Sequence, residues 1–321
     1  MVLIVYLWKT INTMQAQATS SILMIRPVRF GFNAQTAASN AFQDATATKQ
    51  CDAQAEALHE FDTMVQRLRA AGVEVTVVDD SSEPHTPDSI FPNNWVSFHH
   101  SGKIILYPMQ AKNRRLERRM DIIEDLQKTF HVEEIIDLTH FENQEQYLEG
   151  TGSLVLDREN RIAYACLSSR TQPPVLAAWK NLMSGYEVVD FEAVDGSGLA
   201  IYHTNVVMCV GDTFAVICLE AIPDFDQRLY VKNKLQETGK EIIEISFEQL
   251  NHFAGNMLLV KKVSGAKLLV MSTQAHQSLT DQQRRTLGTY AEILHVDLHV
   301  IEANGGGSAR CMMAEIHLPK K

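Results

Sequence analysis

Cys311, His203 and Glu149 are the residue types of a covalent catalyst: a thiol nucleophile, an imidazole that carries protons and a carboxylate that orients it. They lie far apart in the chain, yet their spacing is regular. Asn94, Glu149, His203, Asn256 and Cys311 follow one another at intervals of 55, 54, 53 and 55 residues, each just before or at the start of a similar apolar stretch. A period of that length marks a repeated structural unit. If five such units close around an axis, their starts converge and the three residues meet. Cys311 also follows Gly305, Gly306 and Gly307 in the run NGGGSAR. Backbone N–H groups can converge at such a run, and a substrate can approach closely. Converging dipoles favour the thiolate, the nucleophilic form of a cysteine. No Gly-Lys-Ser/Thr follows, so the run is not a phosphate loop.

Taken singly, each residue has a plainer reading: a buried inert thiol, a structural histidine at the mouth of an apolar strand, a loop carboxylate. The shared repeat position is what singles them out. Asp88, Asn93 and Asn94, in PDSIFPNNW, offer hydrogen-bond partners ahead of the first unit, although Asp, Pro and Asn also make turns. Arg26, Arg29 and Arg310 are candidates to hold a substrate carboxylate. No grouping of histidines with carboxylates has metal-ligand spacing, so no metal is expected.

Each unit must supply the elements that aim these residues. The repeat reads as a hairpin of two apolar strands, then a helix, then a third strand. The first unit runs NWVSFHHSGKIILYP, with Ser101-Gly102 at the turn and His99-His100 at the hairpin tip, then RRLERRMDIIEDLQKTF as helix and HVEEIIDLT as strand. The second runs SLVLDRENRIAYACL, PPVLAAWKNLMSG and YEVVDFEAV; the third runs NVVMCVGDTFAVICL, FDQRLYVKNKLQETG and EIIEISF. The fourth runs NMLLVKKVSGAKLLVMS, TDQQRRTLGTYAEI and LHVDLHVI. The fifth is split between the termini: CMMAEIHLP, then SILMIRP, a helix around Ala53–Ala71 and VEVTVVDD. Pro173-Pro174 and Thr280-Asp281 start helices, while Gly185 and Gly239 stop them. The fold class expected is α/β, with the split unit joining the ends of a ring. An open α/β sheet with regular spacing is the alternative, and five units of one internal order argue against it.

The chain of 321 residues is 45% apolar, enough for a large core. Its length alone suggests two domains. The repeat runs almost end to end with no linker, so one catalytic domain is expected over residues 21–321, after an N-terminal extension over 1–20. MVLIVYLW is too short to span a membrane and has no cleavage site after it. The net charge of −10 argues against nonspecific nucleic-acid binding. Arg114-Arg115 and Arg118-Arg119 read as a solvated helix face. Five scattered cysteines without a CxxC pair suggest a reducing, cytoplasmic setting. Cys166, Cys209 and Cys218 read as core residues and Cys51 as a helix residue without a special role.

FPNNW, LEGTG, YHTN, FAGNML and GGGSARC, in that order, resemble the guanidino-group-modifying or pentein superfamily. That group includes arginine deiminases, dimethylarginine dimethylaminohydrolases and amidinotransferases. The resemblance covers roughly residues 21–321, and the most similar branch is that of the amidinotransferase-like citrulline utilisation hydrolases. It implies a five-bladed pseudo-symmetric ββαβ propeller, in agreement with the repeat. It also implies Cys311 as nucleophile, His203 as acid/base, Glu149 as a substrate-binding or His-orienting carboxylate and Asp88 as a second substrate-binding carboxylate. Many members carry Asp two residues after the histidine, where this chain has Asn205. An amide both donates and accepts, which suits a neutral ureido group better than a cation. A remaining carboxylate could still balance a guanidinium.

The expected activity is therefore cofactor-independent hydrolysis of the ureido or guanidino group of an arginine-related amino acid, with citrulline giving ornithine, ammonia and carbon dioxide. Asn93, Asn94, Asn205, Asn256, Gly306 and Arg310 are expected around the substrate. Amidino transfer and deimination of an arginine derivative are the alternatives. A non-catalytic binder, as in a ribosome anti-association factor of similar architecture, is opposed by Cys311, His203 and Glu149 at matching repeat positions. The partner expected is a small molecule, and self-association stays open.

Overall fold

The computed structural model describes residues 15–37, 39–40, 42–43 and 53–321. In chain order the strands are β1 (Ser21–Arg26), β2 (Glu74–Asp79), β3 (Val96–Phe98), β4 (Lys103–Leu106), β5 (Glu134–Asp137), β6 (Leu154–Asp157), β7 (Ile162–Leu167) and β8 (Glu187–Glu192). They continue as β9 (Met208–Val210), β10 (Phe214–Ile217), β11 (Glu241–Glu244), β12 (Leu258–Lys261), β13 (Lys267–Ser272), β14 (Glu292–Val296) and β15 (Ala314–Glu315). The longer helices are α1 (Ala53–Ala70), α2 (Met120–Thr129), α3 (Pro173–Leu182), α4 (Phe225–Glu237) and α5 (Asp281–Tyr290). Among the described residues the strands form five sheets of three: β3-β4-β5, β6-β7-β8, β9-β10-β11, β12-β13-β14 and β15-β1-β2.

All five sheets share one pattern. The first strand pairs antiparallel with the second through a hairpin, or, for β15, across the termini. The third pairs parallel with the second after a helical crossover. The middle strands are apolar at their centres because a helix and neighbouring sheets cover both faces; Ile104, Ile105, Ala163, Ala165, Val216 and Leu269 have no exposure. Local chemistry sets the ends. Thr280 caps α5 in a capping box with Gln283, and two prolines open α3. Gly102 and Gly265 take positive φ of 81° and 88° at the hairpin turns.

Between units the chain makes short turns that carry the repeat-position residues. Asn94 ends the turn Pro92–Asn94, Glu149 precedes the turn Gly150–Ser153, and His203 precedes the turn Thr204–Val207. Neighbouring turns touch. The approach is close enough that a Cβ on Gly255 would stand 2.2 Å from the Val206 carbonyl oxygen.

Several expectations change. The helix expected over 114–130 is broken: Asn113–Glu117 is a 3-10 turn, Arg118 and Arg119 are extended, and α2 starts at Met120. The cause is Arg114, which is 2% exposed and turned inward rather than lying on a solvated face. LHVDLHVI is not one strand, since β14 ends at Val296 and His299–Gly305 is helical. Glu60 of α1 accepts from the Val300 and Ile301 N–H groups at 2.8 and 3.0 Å and so caps that helix. His99 does not decorate a tip; it is 1% exposed and bonded to Ser97, while His100 is exposed. The N-terminal extension already packs from Gln17, whose side chain donates to the Leu156 and Val210 carbonyls and so bridges two sheets. The residues before Gln15, and Cys51, lie outside the described residues. No helix among the described residues is long and apolar enough to cross a membrane.

Candidate active site

Cys311, His203, Asp88, Asn94 and Gly306 line one narrow cavity, together with Arg114, Arg170 and Tyr202. Glu149 stands directly behind His203. Every one of these charged or nucleophilic side chains is buried.

The sulfur is held by two amides. Asn205 Nδ2 and Asn256 Nδ2 each donate to Cys311 Sγ at 3.4 Å. Asn256 is fixed in turn, donating to the Asn205 carbonyl at 2.9 Å and accepting the Arg310 N–H at 3.0 Å. Donors aimed at sulfur stabilise negative charge on it. Cys166, Cys209 and Cys218 lie in apolar surroundings, and burial pushes each thiol up to about 12.

His203 Nε2 meets Glu149 Oε2 at 2.9 Å. Burial pushes the imidazolium down, Glu149 opposes, and the nearby Arg170 and Arg114 add to the fall; the ring titrates at about 4. His203 is therefore neutral at pH 7. Glu149 can only accept from Nε2–H, which leaves Nδ1 free to take a proton. Burial alone would raise the Glu149 carboxyl, but Arg170, His203 and Arg114 outweigh it and hold it at about 2. Its other oxygen accepts the Gln110 N–H at 3.0 Å. Gly152 makes room for this pair, since a Cβ there would stand 2.8 Å from His203 Nδ1 and 2.5 Å from Asn94 Nδ2.

Two guanidinium groups complete the wall. Arg170 Nη1 lies 3.5 Å from Glu149 Oε2, and its guanidinium carbon sits 4.8 Å from the centre of the Tyr202 ring. It also donates to the Thr36 carbonyl and to Ser39 Oγ, which ties the segment after β1 to the cavity. Arg114 binds both Glu117 oxygens at 2.9 Å and donates to Asn94 Oδ1 at 2.8 Å. Burial pushes Glu117 up to about 8 against the pull of Arg114. Burial likewise raises Asp88, whose Oδ2 accepts from Asn33 at 2.7 Å and lies 3.7 Å from Arg114.

Gly306 takes φ 62° at the end of its helix, and its carbonyl accepts from Tyr202 Oη and Asn40. Asn93 is fully buried beside the cavity and does not line it. The Arg310 guanidinium is turned away from the cavity and pairs with Glu315 at 2.9 Å. Arg26 and Arg29 pair with Asp62 and Glu83 at the surface. None of these three arginines lines the cavity. The arginines that do, Arg114 and Arg170, carry no signal in the sequence, because neither sits at the repeat position. Thr36 and Asn40 are likewise outside every repeat element.

The chain matches the family described as N,N dimethylarginine dimethylhydrolase, eukaryotic, over residues 26–318. No curated protein matches it. The cyanobacterial arginine dihydrolase ArgZ of the ornithine-ammonia cycle has a TM-score of 0.72 at 18% identity, over 93% of this chain and 41% of that one. The chain thus spans well under half of that protein. The N-terminal domain of ArgZ, covalently bonded to a reaction intermediate, has a TM-score of 0.71 at 18% identity, over 93% of this chain and 98% of the domain. A dimethylarginine dimethylaminohydrolase, seen as an adduct with S-methyl-L-thiocitrulline, gives 0.64 at 18% identity over 92% and 98%. At these identities the likeness is one of fold. The match along nearly the whole sequence goes further, and the chain belongs to the N,N dimethylarginine dimethylhydrolase, eukaryotic, family of the pentein superfamily.

Proposed function

We propose that this chain hydrolyses the ureido or guanidino group of an arginine-related amino acid through a covalent intermediate on Cys311, with citrulline as the preferred substrate. The observation that carries the choice of a neutral substrate is the pairing of the cavity's carboxylates. Arg170 already faces Glu149, and Arg114 already faces Glu117 and Asp88. Burial raises Glu117 and Asp88, so two guanidiniums leave little negative charge in these three carboxyls for a guanidinium substrate, whereas a ureido group brings no charge. The unused groups match it. Among the described residues Asp88 Oδ1 and Asn205 Oδ1 accept nothing and Asn94 Nδ2 donates to nothing. Those are two acceptors for ureido N–H groups and one donor for its carbonyl.

The reading of mechanism is as follows. Cys311 sulfur bonds to the ureido carbon, and the C–N bond to the ornithine nitrogen breaks. The thiol proton ends on the departing amine with neutral His203 as its carrier, and Glu149 stabilises the transient imidazolium. The product of that half-reaction is an S-carbamoyl cysteine. His203 then takes a proton from water, whose oxygen attacks the carbamoyl carbon. Sulfur leaves with the proton, and carbamate breaks down to ammonia and carbon dioxide. The covalent intermediate and adduct seen in fold relatives support this route. Contacts between neighbouring first strands, β6 with β9, β9 with β12 and β15 with β3, support closure of the five sheets into a single-domain propeller with the cavity at one end of its axis.

The second reading is a guanidino substrate, favoured by the family match and its named methylated arginine. The test is ammonia and amine release from citrulline, arginine and dimethylarginine, with Cys311→Ala as control. Ornithine and ammonia from citrulline, lost in the control, is the expected result. Turnover of a guanidino compound alone would overturn the neutral-substrate choice and keep Cys311.

A further inference from the structure

Asn94 and His99 flank β3 at opposite ends, so at about 3.3 Å per residue they stand roughly 16 Å apart. At the His99 end a second cleft of about 320 Å³ opens to solvent, lined by Gln15, His99, His100, Lys103, Arg161 and Tyr186 among others. None of its lining residues is a carboxylate. Glu134, on the adjacent strand, lies 3.6 Å from Lys103 Nζ.

A buried relay fixes the proton on His99. Trp179 Nε1 donates to Tyr107 Oη at 3.1 Å, and Tyr107 Oη and Ser97 Oγ meet at 2.7 Å. Ser97 Oγ meets His99 Nε2 at 2.7 Å. Tyr107 is wholly buried, so its own O–H must go to Ser97, the remaining partner. The Ser97 hydroxyl then gives its proton to His99 Nε2. Burial and the nearby Arg158 keep His99 neutral, so its single proton sits on Nδ1. That N–H is buried and has no partner among the described residues, and His99 is one of the residues that line the cleft. Gln15 repeats the pattern: its Oε1 accepts from Tyr186 Oη at 3.4 Å, and its buried Nε2 donates to nothing. Behind them Arg158, 1% exposed, has an unpartnered Nη1.

We infer that this cleft is a second binding site, for a small oxyanion carrying a phosphate or carboxylate group, separate from the Cys311 cavity. The unused polar groups here are donors, and Lys103 and Arg161 supply positive charge at the rim. Such a set complements an acceptor-only ligand.

The test is calorimetric titration of the full chain with inorganic phosphate and, separately, with acetate, together with the His99 Nδ1–H signal in proton NMR. The expected result is saturable binding of at least one anion, a shifted His99 signal, and about tenfold weaker binding in Lys103→Ala/Arg161→Ala, with turnover in anion-free buffer unchanged. Phosphate binding alone assigns the phosphate class, and acetate alone the carboxylate class. Failure of both anions to bind at millimolar concentration, binding that the double variant leaves intact, or an unmoved His99 signal would each overturn the proposal. Citrulline turnover is read separately, so loss of one reading leaves the other standing.

Discussion

The Cys311 cavity and the Arg158–Arg310–Glu315 cluster are both buried, both built on arginine–carboxylate pairs, and both draw on residues at unit starts. They differ in what is left over. In and around the cavity the unused groups are mixed, with an acceptor on Asp88 and a donor on Asn94 in its wall, and an acceptor on Asn205 and both amide atoms of Asn93 beside it. In the cluster Glu315 is clamped by Arg310 at 2.9 Å, His317 at 3.1 Å and Arg158 at 3.7 Å. The one polar atom left over there is a donor, Arg158 Nη1. Charge content alone would not tell a reaction site from a structural network. The kind of hydrogen-bonding group left unpaired does.

The sharpest way to break the comparison is Cys311→Ser. Turnover should fall by about 10⁴-fold or more, because the proposed nucleophile is lost, while circular dichroism and Tm stay near those of the parent. Retained turnover would move the chemistry out of this cavity. Gly152→Ala comes next. The added methyl needs the space of the His203 ring edge and Asn94, and a displacement of that order should cost about 10²-fold in kcat. Arg170→Met removes the cation that does most to depress Glu149. We expect about a tenfold loss of kcat, and an acid limb that moves to higher pH, because Arg170 also lowers His203 and its removal lets the ring rise from about 4.

In the parent enzyme the acid limb should follow His203 at about 4, so activity persists through the ordinary histidine range near 6.5. Stability behaves otherwise. His203 and His317 are both lowered to about 4, so between 6.5 and 4 these two groups bind more protons in the unfolded chain, and their contribution to stability is lost as pH drops through that window. Glu149 adds a further loss between 4.5 and about 2. Glu117, raised to about 8, and Glu302, raised to about 7, work in the opposite sense down to 4.5. The histidine part is therefore read from His317→Gln, whose Tm should fall less than the parent's between pH 6.5 and 4, and an equal change in both proteins would contradict the His317 shift.

Glu315→Gln should have the smallest effect on chemistry, with kcat within about twofold. It should nevertheless destabilise the fold by about 3–5 kcal/mol, because Arg158 and Arg310 would be buried without their carboxylate. Urea unfolding followed beside citrulline turnover separates the two. A large kcat loss at full stability would mean that the cluster serves the reaction.

The sequence by itself determined the repeat. Strand–strand–helix–strand order depends on local apolar periodicity, on turns such as Ser101-Gly102 and on caps such as Thr280, all of which act within a few residues. The constant interval then brought Asn94, Glu149, His203, Asn256 and Cys311 to equivalent turns, because equal units place equal positions alike. The tertiary structure alone decided where the long cations and the second histidine went. Arg114 and Arg118 are four apart in one basic run, yet the former is buried at the cavity and the latter binds Glu142 on another element. Arg310 adjoins Cys311 and points the other way. His99 and His100 are neighbours with opposite fates. A flexible side chain chooses its direction by the charge and space it finds across the fold. Those partners come from segments tens to hundreds of residues away, where no local spacing rule reaches.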